Sequence, residues 1–566
     1  MTFLLYNTNM KAKWMGKKGN PLLKEKLTPK RLALALLWNR GIRTAQEVRD
    51  FVNPSLPGKI TLKEVGIDPG EAKKAVARVK KAIENQEKIV VYGDYDVDGF
   101  CSTALVWEAL RGAGGSAIPF IPSRENGYGL KAKKIQELKS LDSRVGLVIT
   151  TDNGIVEHEE IRQLKEKGVE VIITDHHQPQ KTFPKAVAIV HTTQLSGSGV
   201  AWFFARELKV LGAPLPDLGL AALGTVTDMM EVKGASRSLI KHGLPFLQST
   251  PRAGLRALFS QAGIDEKIFS TYELGFIIGP RLNALGRIAD PMDGLRLLCV
   301  KEEERGKRLA KKAQEVNRER QKLTQEGLKL ARRQFSKKDL PFLLFASSPS
   351  FEQGIVGLIA SKLKDEFYRP VLVIKKDGKI SRGSARSIKE LNIVKTLRGF
   401  NDLFIDLGGH PLAAGFELKT KDLEKLKKKL LLFSKKKLQG KKLSVRLEID
   451  LPLSLVQATP DYYQAIQRLA PFGLGNKEPL FIFKGLRILD LKTVGSNGGH
   501  LKLILDDPAT PREERMVVEA IGFYLGGRKE ELKNGDLVDV VASVTENVWR
   551  GRRKIVLKIK DLRLAV

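Results

Sequence analysis

Five aspartates and an adjacent histidine pair stand at the ends of successive apolar runs. Lys88-Ile89-Val90-Val91-Tyr92-Gly93 reads as a buried strand and stops at Asp94-Tyr95-Asp96-Val97-Asp98-Gly99. Val145-Gly146-Leu147-Val148-Ile149-Thr150 reads as a second, with Asp152-Asn153-Gly154 after it, and Val169-Glu170-Val171-Ile172-Ile173 as a third that runs into Asp175-His176-His177. In a parallel α/β sheet functional residues gather at the carboxyl ends of the strands, so three such ends can share one cleft. Carboxylates packed there raise each other's pKa unless a cation neutralises them. Oxygen ligands with one or two imidazoles suit Mn²⁺ or Mg²⁺ better than zinc. The pattern predicts a two-metal hydrolytic centre. Each piece alone has an ordinary explanation, since an Asp after a strand is commonly a turn residue or helix cap. An EF-hand loop also opens Asp-x-Asp-x-Asp-Gly, but here a strand precedes it and Leu105 stands where the loop needs Glu.

The elements that must position these residues fall into five stretches. Residues 1–85 read as mostly helical, with Leu32, Leu34, Leu36 and Leu37 in an apolar run. Residues 86–300 read as one domain: about 86–235 alternate strand and helix, the pattern of a parallel sheet with crossover helices, and about 236–300 look helical. Residues 301–335 read as a long charged helix with Leu309, Val316, Leu323 and Leu330 seven apart, a narrow stripe expected of a rigid connector. Residues 336–440 read as a smaller α/β domain, with a glycine-bearing helix start at Gln353-Gly354-Ile355-Val356-Gly357 that suits phosphate or close packing. Lys425 to Lys442 holds nine lysines and no acid. Residues 441–566 show period-2 alternation in Leu443–Leu451, Leu501–Leu505 and Ile555–Ile559, expected of a small antiparallel barrel. Trp549-Arg550-Gly551-Arg552-Arg553-Lys554 lies between the last strands, an aromatic among cations that suits a strand of nucleic acid.

Taken together, Tyr92–Gly99, Thr151–Gly154, Asp175-His176-His177 and Gly224-Thr225-Val226-Thr227-Asp228 resemble the four motifs of the DHH phosphoesterase superfamily. Gly279-Pro280-Arg281-Leu282-Asn283-Ala284-Leu285-Gly286-Arg287 resembles a segment of its RecJ branch. Gly383-Ser384-Ala385-Arg386-Ser387 and Gly408–Phe416, which holds His410, resemble the companion DHH-associated domain, and Ala470–Asn476 resembles the entry to the last RecJ domain. The resemblance implies a DHH parallel-sheet domain joined by a long helix to a smaller α/β DHH-associated domain, then a C-terminal OB-fold. It implies a 5′-to-3′ exonuclease of single-stranded DNA, releasing 5′-mononucleotides in repair and recombination. Two divalent metals, Mn²⁺ or Mg²⁺, would be held by Asp94, Asp96, Asp98, Asp152, His176 and Asp228, with Asp152 as the bridge. His177 would serve beside the phosphate, Asp175 would orient a histidine, and Arg281, Asn283 and Arg287 would hold the scissile phosphate or position its neighbours. Arg124, Ser384, Arg386 and His410 are candidates for the 5′-phosphate and the strand, as are Trp549, Arg550, Arg552 and Arg553 on the barrel. Phe351-Glu352 departs from a common Trp-His pair, and His191-Thr192 from a common Asn-Pro.

Composition fits this expectation. The chain has 97 Lys and Arg against 64 Asp and Glu, a net charge of +33, which favours a polyanionic partner. Two cysteines, Cys101 and Cys299, argue against a disulfide framework. No apolar run reaches the roughly 18 residues of a membrane span. The expected protein is a soluble, cytoplasmic monomer that works with a single-strand-binding protein and a helicase. Met10-Lys11-Ala12-Lys13-Trp14 resembles the usual RecJ beginning, leaving Met1 and Met10 as alternative starts. The alternative function is a DHH phosphoesterase acting on short oligonucleotides or small phosphates, for which an added barrel has no evident use.

Overall fold

A computed structural model describes residues 12–565 apart from 18, 128, 265–268, 337–338, 496 and 550–551, so Met10 and Arg550 lie outside the described residues. The chain divides into two compact units: residues 44–320 with 470–477, and residues 1–43 with 321–469 and 478–566.

In the first unit, five strands form a wholly parallel sheet: β1 (Lys88–Tyr92), β2 (Ser116–Phe120), β3 (Val145–Thr151), β4 (Glu170–Asp175) and β5 (Ala188–His191), in the order β2-β1-β3-β4-β5. Ile89, Val90, Val91, Leu147, Val148, Ile149, Ile172 and Ile173 are fully buried. Helices cover both faces, so these strands read as unbroken apolar runs rather than as alternation. The crossover helix α1 (Val97–Gly112) packs with α2 (Gly197–Glu207) and α3 (Leu218–Thr227). Residues 470–477 belong to this unit: the buried Arg237 guanidinium donates to the carbonyls of Ala470 and Pro471, and Val232 N–H to that of Leu474.

A single 30-residue helix, α4 (Glu303–Arg332), runs from one unit into the other. Its expected seven-residue stripe is only half-buried. The buried positions are Gly306, Ala310, Ala313, Gln314, Asn317, Thr324, Gly327, Leu328 and Ala331, mostly small residues that allow close approach.

In the second unit, Leu344–Ser348, Val371–Lys375, Ile380–Arg386, Asp406–His410 and Ala413–Lys419 form a mixed five-stranded sheet. Helices Val356–Phe367 and Leu423–Leu438 accompany it. The barrel strands are Phe481–Val494, His500–Asp506, Val517–Gly522, Arg552–Leu564 and Leu537–Trp549, and the first pairs with the last to close the ring. Leu501, Leu503, Leu505, Leu557 and Ile559 point inward, as their alternation required. The barrel begins later than the alternation in Leu443–Leu451 implied. Arg446–Ile449 pairs instead with Lys13–Gly16 in a separate two-stranded ladder, and helix Pro460–Gln467 intervenes before Phe481. Residues 12–43 therefore group with the barrel's approach rather than with residues 44–85. Among the described residues no helix is long and apolar enough to cross a membrane.

Candidate metal centre

Strand ends β1, β3 and β4 and the end of α3 bring the acidic residues together. Asp96 caps α1, its Oδ1 accepting from Gly99 N–H at 3.1 Å. Asp98, one helical position inside, is 2 % exposed, and its two oxygens accept from Gly197 N–H at 2.7 Å and Ser198 N–H at 3.0 Å. Those N–H groups open α2, so a helix N-terminus faces the carboxylate. Asp152 follows β3 in the left-handed region, at φ 64°. A non-glycine residue held there is a mark of strain that the surroundings must impose. Asp228 caps the carboxyl end of α3.

Ligand atoms of Asp94, Asp96 and Asp152 lie within 4.8 Å of one another, as do those of Asp152, His176 and His177, and those of Asp98, His176 and Asp228. His176 bridges the sets, with Nε2 3.1 Å from Asp152 Oδ1 and Nδ1 3.8 Å from Asp228 Oδ2. Close approach is built into the backbone. A Cβ on Gly224 would stand 2.4 Å from Asp98 Oδ1, and one on Gly197 2.4 Å from Asp152 Oδ1.

The electrostatics are those of carboxylates wanting a cation. Burial, then the charge of Asp96, pushes Asp94 up to about 7. Burial and Asp98 push Asp228 up to about 8, and burial likewise raises Asp98 and Asp152. Asp94 Oδ1 and Asp152 Oδ1 are buried and accept no hydrogen bond from described residues. Buried, unsatisfied carboxylate oxygens beside an imidazole fit a hard divalent ion.

Asp175 behaves oppositely. Burial opposes its charge, but the His177 ring and the N–H groups of Ile155, His176 and His177 hold it at about 2. His177 Nδ1 lies 2.8 Å from Asp175 Oδ1; burial alone would lower its pKa, yet that carboxylate carries it to about 9.

The remaining candidates sort by position. Asn283 Oδ1 accepts from Val97 N–H at 3.2 Å, so it braces the Asp96-Val97-Asp98 turn. Arg281 donates to Gln314 Oε1 at 2.7 Å and to the Ile277 carbonyl at 2.6 Å. The charge of Arg287 reaches Tyr95, and Arg124 lies 4.0 Å over the Tyr95 ring while donating to the Gly286 carbonyl. In the second unit Arg386 donates to Ser384 Oγ at 2.9 Å, and both lie beside Gly357 near the start of Val356–Phe367. Among the described residues Arg386 has no carboxylate partner, and burial lowers its pKa. His410 is exposed at the end of its strand, and Glu352 is exposed beside a buried Phe351. Arg553 pairs with Glu546 at 3.2 Å. Arg552 opens the last strand opposite Trp549, whose side chain lies outside the described residues.

Sequence reasoning missed the Gly197-Ser198 pair that grips Asp98. Its signal was Ser196-Gly197-Ser198-Gly199, a capped glycine-rich helix start. His191 stood out in the sequence only as a departure, whereas its Nε2 lies 2.7 Å from the His177 carbonyl and braces the histidine loop.

This sheet and carboxylate–imidazole cluster define a DHH phosphoesterase, and the model of the DHH family, N-terminal domain, matches residues 88–234. The DHHA1 domain matches 341–436 and the RecJ OB domain 449–561. A single-stranded-DNA-specific exonuclease RecJ of Bacillus subtilis is 34 % identical over 556 residues, covering 94 % of this chain and 68 % of that one. The crystal structure of Thermus thermophilus RecJ in complex with Mn²⁺ superposes with a TM-score of 0.82 at 27 % identity, covering 98 % of this chain and 79 % of that one. Its Mg²⁺ complex gives a TM-score of 0.74 at 25 % identity, covering 98 % and 78 %. The chain belongs to the RecJ family.

Proposed function

We propose that the chain hydrolyses single-stranded DNA from its 5′ end and releases 5′-mononucleotides. The observation that carries the chemistry is the buried cluster of raised carboxylates with unsatisfied oxygens on Asp94 and Asp152. Asp94, Asp96, Asp98, Asp152, His176 and Asp228 would hold two divalent ions, Mn²⁺ or Mg²⁺, with Asp152 shared. Bound there, such ions polarise the phosphodiester and lower the pKa of an attacking water.

The chain's own residues do the rest. The opening N–H groups of α2 fix Asp98, and Asn283 fixes the turn before it. Asp175 orients the His177 ring through Nδ1, which suits the ring to pass a proton to a phosphate or leaving oxygen. Arg281 and Arg287 supply guanidinium donors for the phosphate. Direction needs a stop for one terminus, because a metal pair is indifferent to polarity. Ser384 and Arg386, at a helix start and with no carboxylate partner among the described residues, have the chemistry of a 5′-phosphate pocket; His410 and, in the other unit, Arg124 are separate candidate contacts for the strand. Residues Arg550, Arg552, Arg553 and Trp549 of the barrel would grip the strand beyond. The same reading makes the protein a cytoplasmic monomer that works with a single-strand-binding protein and a helicase in repair and recombination. It takes residues 86–300, 301–335, 336–440 and 441–566 as the catalytic domain, the connector, the companion domain and the OB-fold domain, whose barrel strands start at Phe481.

One oligonucleotide labelled separately at each end, digested with and without Mn²⁺, tests this. Immediate release of 5′-labelled mononucleotide, with the 3′ label retained on shortening strands, is expected. Cleavage confined to dinucleotides or small phosphates would favour the small-substrate alternative.

A further inference from the structure

Beside the metal centre the first unit exposes two large aromatic rings that take no part in holding the metals. Tyr272 is 52 % exposed and Phe276 61 %, with ring centroids 5.1 Å apart and planes tilted by 26°. Apolar area held in water forfeits the free energy of burial, so a contiguous exposed pair calls for an occupant. Tyr272 immediately precedes, and Phe276 lies within, a π-helical turn, Glu273–Ile278, which runs straight into the helix Gly279–Ile288. Such turns are rare and recur at functional sites.

The turn is anchored to the centre. A Cβ on Gly279 would lie 2.7 Å from Thr227 Cγ2, and one on Gly275 3.7 Å from Val226 Cγ1, so the turn packs on the end of α3 immediately before Asp228. Met229, next after Asp228, is 68 % exposed at φ 61°. Cations line the same neighbourhood. Arg281 donates to the carbonyl of Ile277, the residue after Phe276. Burial and then the charge of Arg318 lower the pKa of Arg281, and Arg281 in turn acts on Arg320. Exposed aromatic faces beside clustered guanidinium groups are the chemistry of single-strand recognition, stacking for bases and charge for phosphates.

We propose that Tyr272 and Phe276 form a stacking platform for a nucleobase of the strand being digested, close to the phosphate that the metal centre receives. The inference rests on single-stranded nucleic acid being the substrate. It makes the pair positioning residues: they hold a base so that the neighbouring phosphate reaches the centre in register.

The test compares the full-length protein with Phe276→Ala and Phe276→Trp on two 5′-phosphorylated oligonucleotides. One is intact; the other carries abasic sites at its first three nucleotides. Both rings are exposed, so the variants should melt as the parent does. Phe276→Ala should lower kcat/KM on the intact strand by roughly tenfold, and Phe276→Trp should restore it. The parent should lose a similar factor on the abasic strand, where Phe276→Ala should lose little more. Equal losses by Phe276→Ala on both strands, or none on either, overturn the platform; the second result would leave the rings to a protein partner. If the parent itself fails to shorten the intact strand from its 5′ end, the reading of the substrate fails first.

Discussion

Asp152 is the most constrained side chain of the centre: buried, in the left-handed region, against a glycine that leaves no room for a Cβ. Asp152→Asn keeps the shape and tolerates that backbone conformation, while removing the charge. It should cost turnover well over the roughly hundredfold that loss of a ligand's orienting partner costs, and raise the melting temperature in EDTA by relieving repulsion. Near-normal hydrolysis in saturating Mn²⁺ would refute the bridging role. The pKa shifts also set a pH trend. A carboxyl raised from 3.8 binds protons more tightly in the folded state, so stability falls as pH climbs from 3.8 through about 7 for Asp94 and about 8 for Asp228. His177, raised from 6.5 to about 9, adds stability below 6.5 that is lost as pH passes 9. Both trends point the same way. Metal-free protein should melt several degrees lower at about pH 8.5 than at about pH 5.5, and Mn²⁺ should raise the melting temperature more at the higher pH. A melting temperature in EDTA that rises with pH over that range would contradict the arrangement.

At the scale of elements, the proposed anion pocket lies where the strand Ile380–Arg386 meets the start of Val356–Phe367. Arg386→Ala should slow 5′-phosphorylated substrate by roughly ten- to a hundredfold, the worth of about 1.5–3 kcal/mol for one charge-assisted contact, and narrow its advantage over 5′-hydroxyl substrate. Gly357→Ala should act in the same direction but less, because its Cβ would meet Arg386 Nη2 at 3.1 Å and Ser384 Oγ at 3.2 Å without changing any charge. Rates on the two substrates distinguish this from a general strand contact, which would lower both equally. The elements also show what sequence pattern can carry. The three central strands of the first sheet were legible because strands buried on both faces must be apolar throughout, whereas the edge strands Ser116–Phe120 and Ala188–His191, only partly buried, offer no such run. Leu443–Leu451 alternates as a barrel strand does, but alternation reports a half-buried strand and not its partner: Arg446–Ile449 pairs with Lys13–Gly16, and of that run only Leu451 meets a barrel strand, opposite Phe481. On α4 the leucine spacing is the conspicuous pattern, yet alanine, glutamine and asparagine fill the buried face, because short side chains suit a close crossing. The aspartates and histidines stood out by type and position. The backbone N–H groups that hold Asp98 did not, since any residue can supply them.

For the molecule as a whole, the +33 net charge predicts strongly salt-dependent binding of long strands. Arg552→Ala with Arg553→Ala should reduce the slope of log K against log salt by about one for each phosphate no longer neutralised, with cleavage of a very short oligonucleotide unchanged. An unaltered slope would remove this hairpin from the strand's path. Cutting the chain at residue 443 is a poorer test, because the first residues would be left without their partners. Lys13–Gly16 ladders with Arg446–Ile449, Trp14 Nε1 donates to Asp561 Oδ2 at 2.7 Å, and Asn39 donates to the Asp450 carbonyl at 2.9 Å. That closure of beginning on end bears on synthesis. Those side-chain partners lie 411 and 547 residues downstream, an interval of about 20 s to about 2 min at ribosomal rates. Through that wait the helix Pro29–Trp38, whose Leu32, Leu36 and Leu37 are buried in the finished fold beside Pro460–Gln467, emerges with nothing to cover it. The nascent chain must therefore carry an apolar helix past the synthesis of every metal-centre residue from Asp94 to Asp228, a ready substrate for chaperones, and a message terminated before Pro460 leaves that helix permanently uncovered.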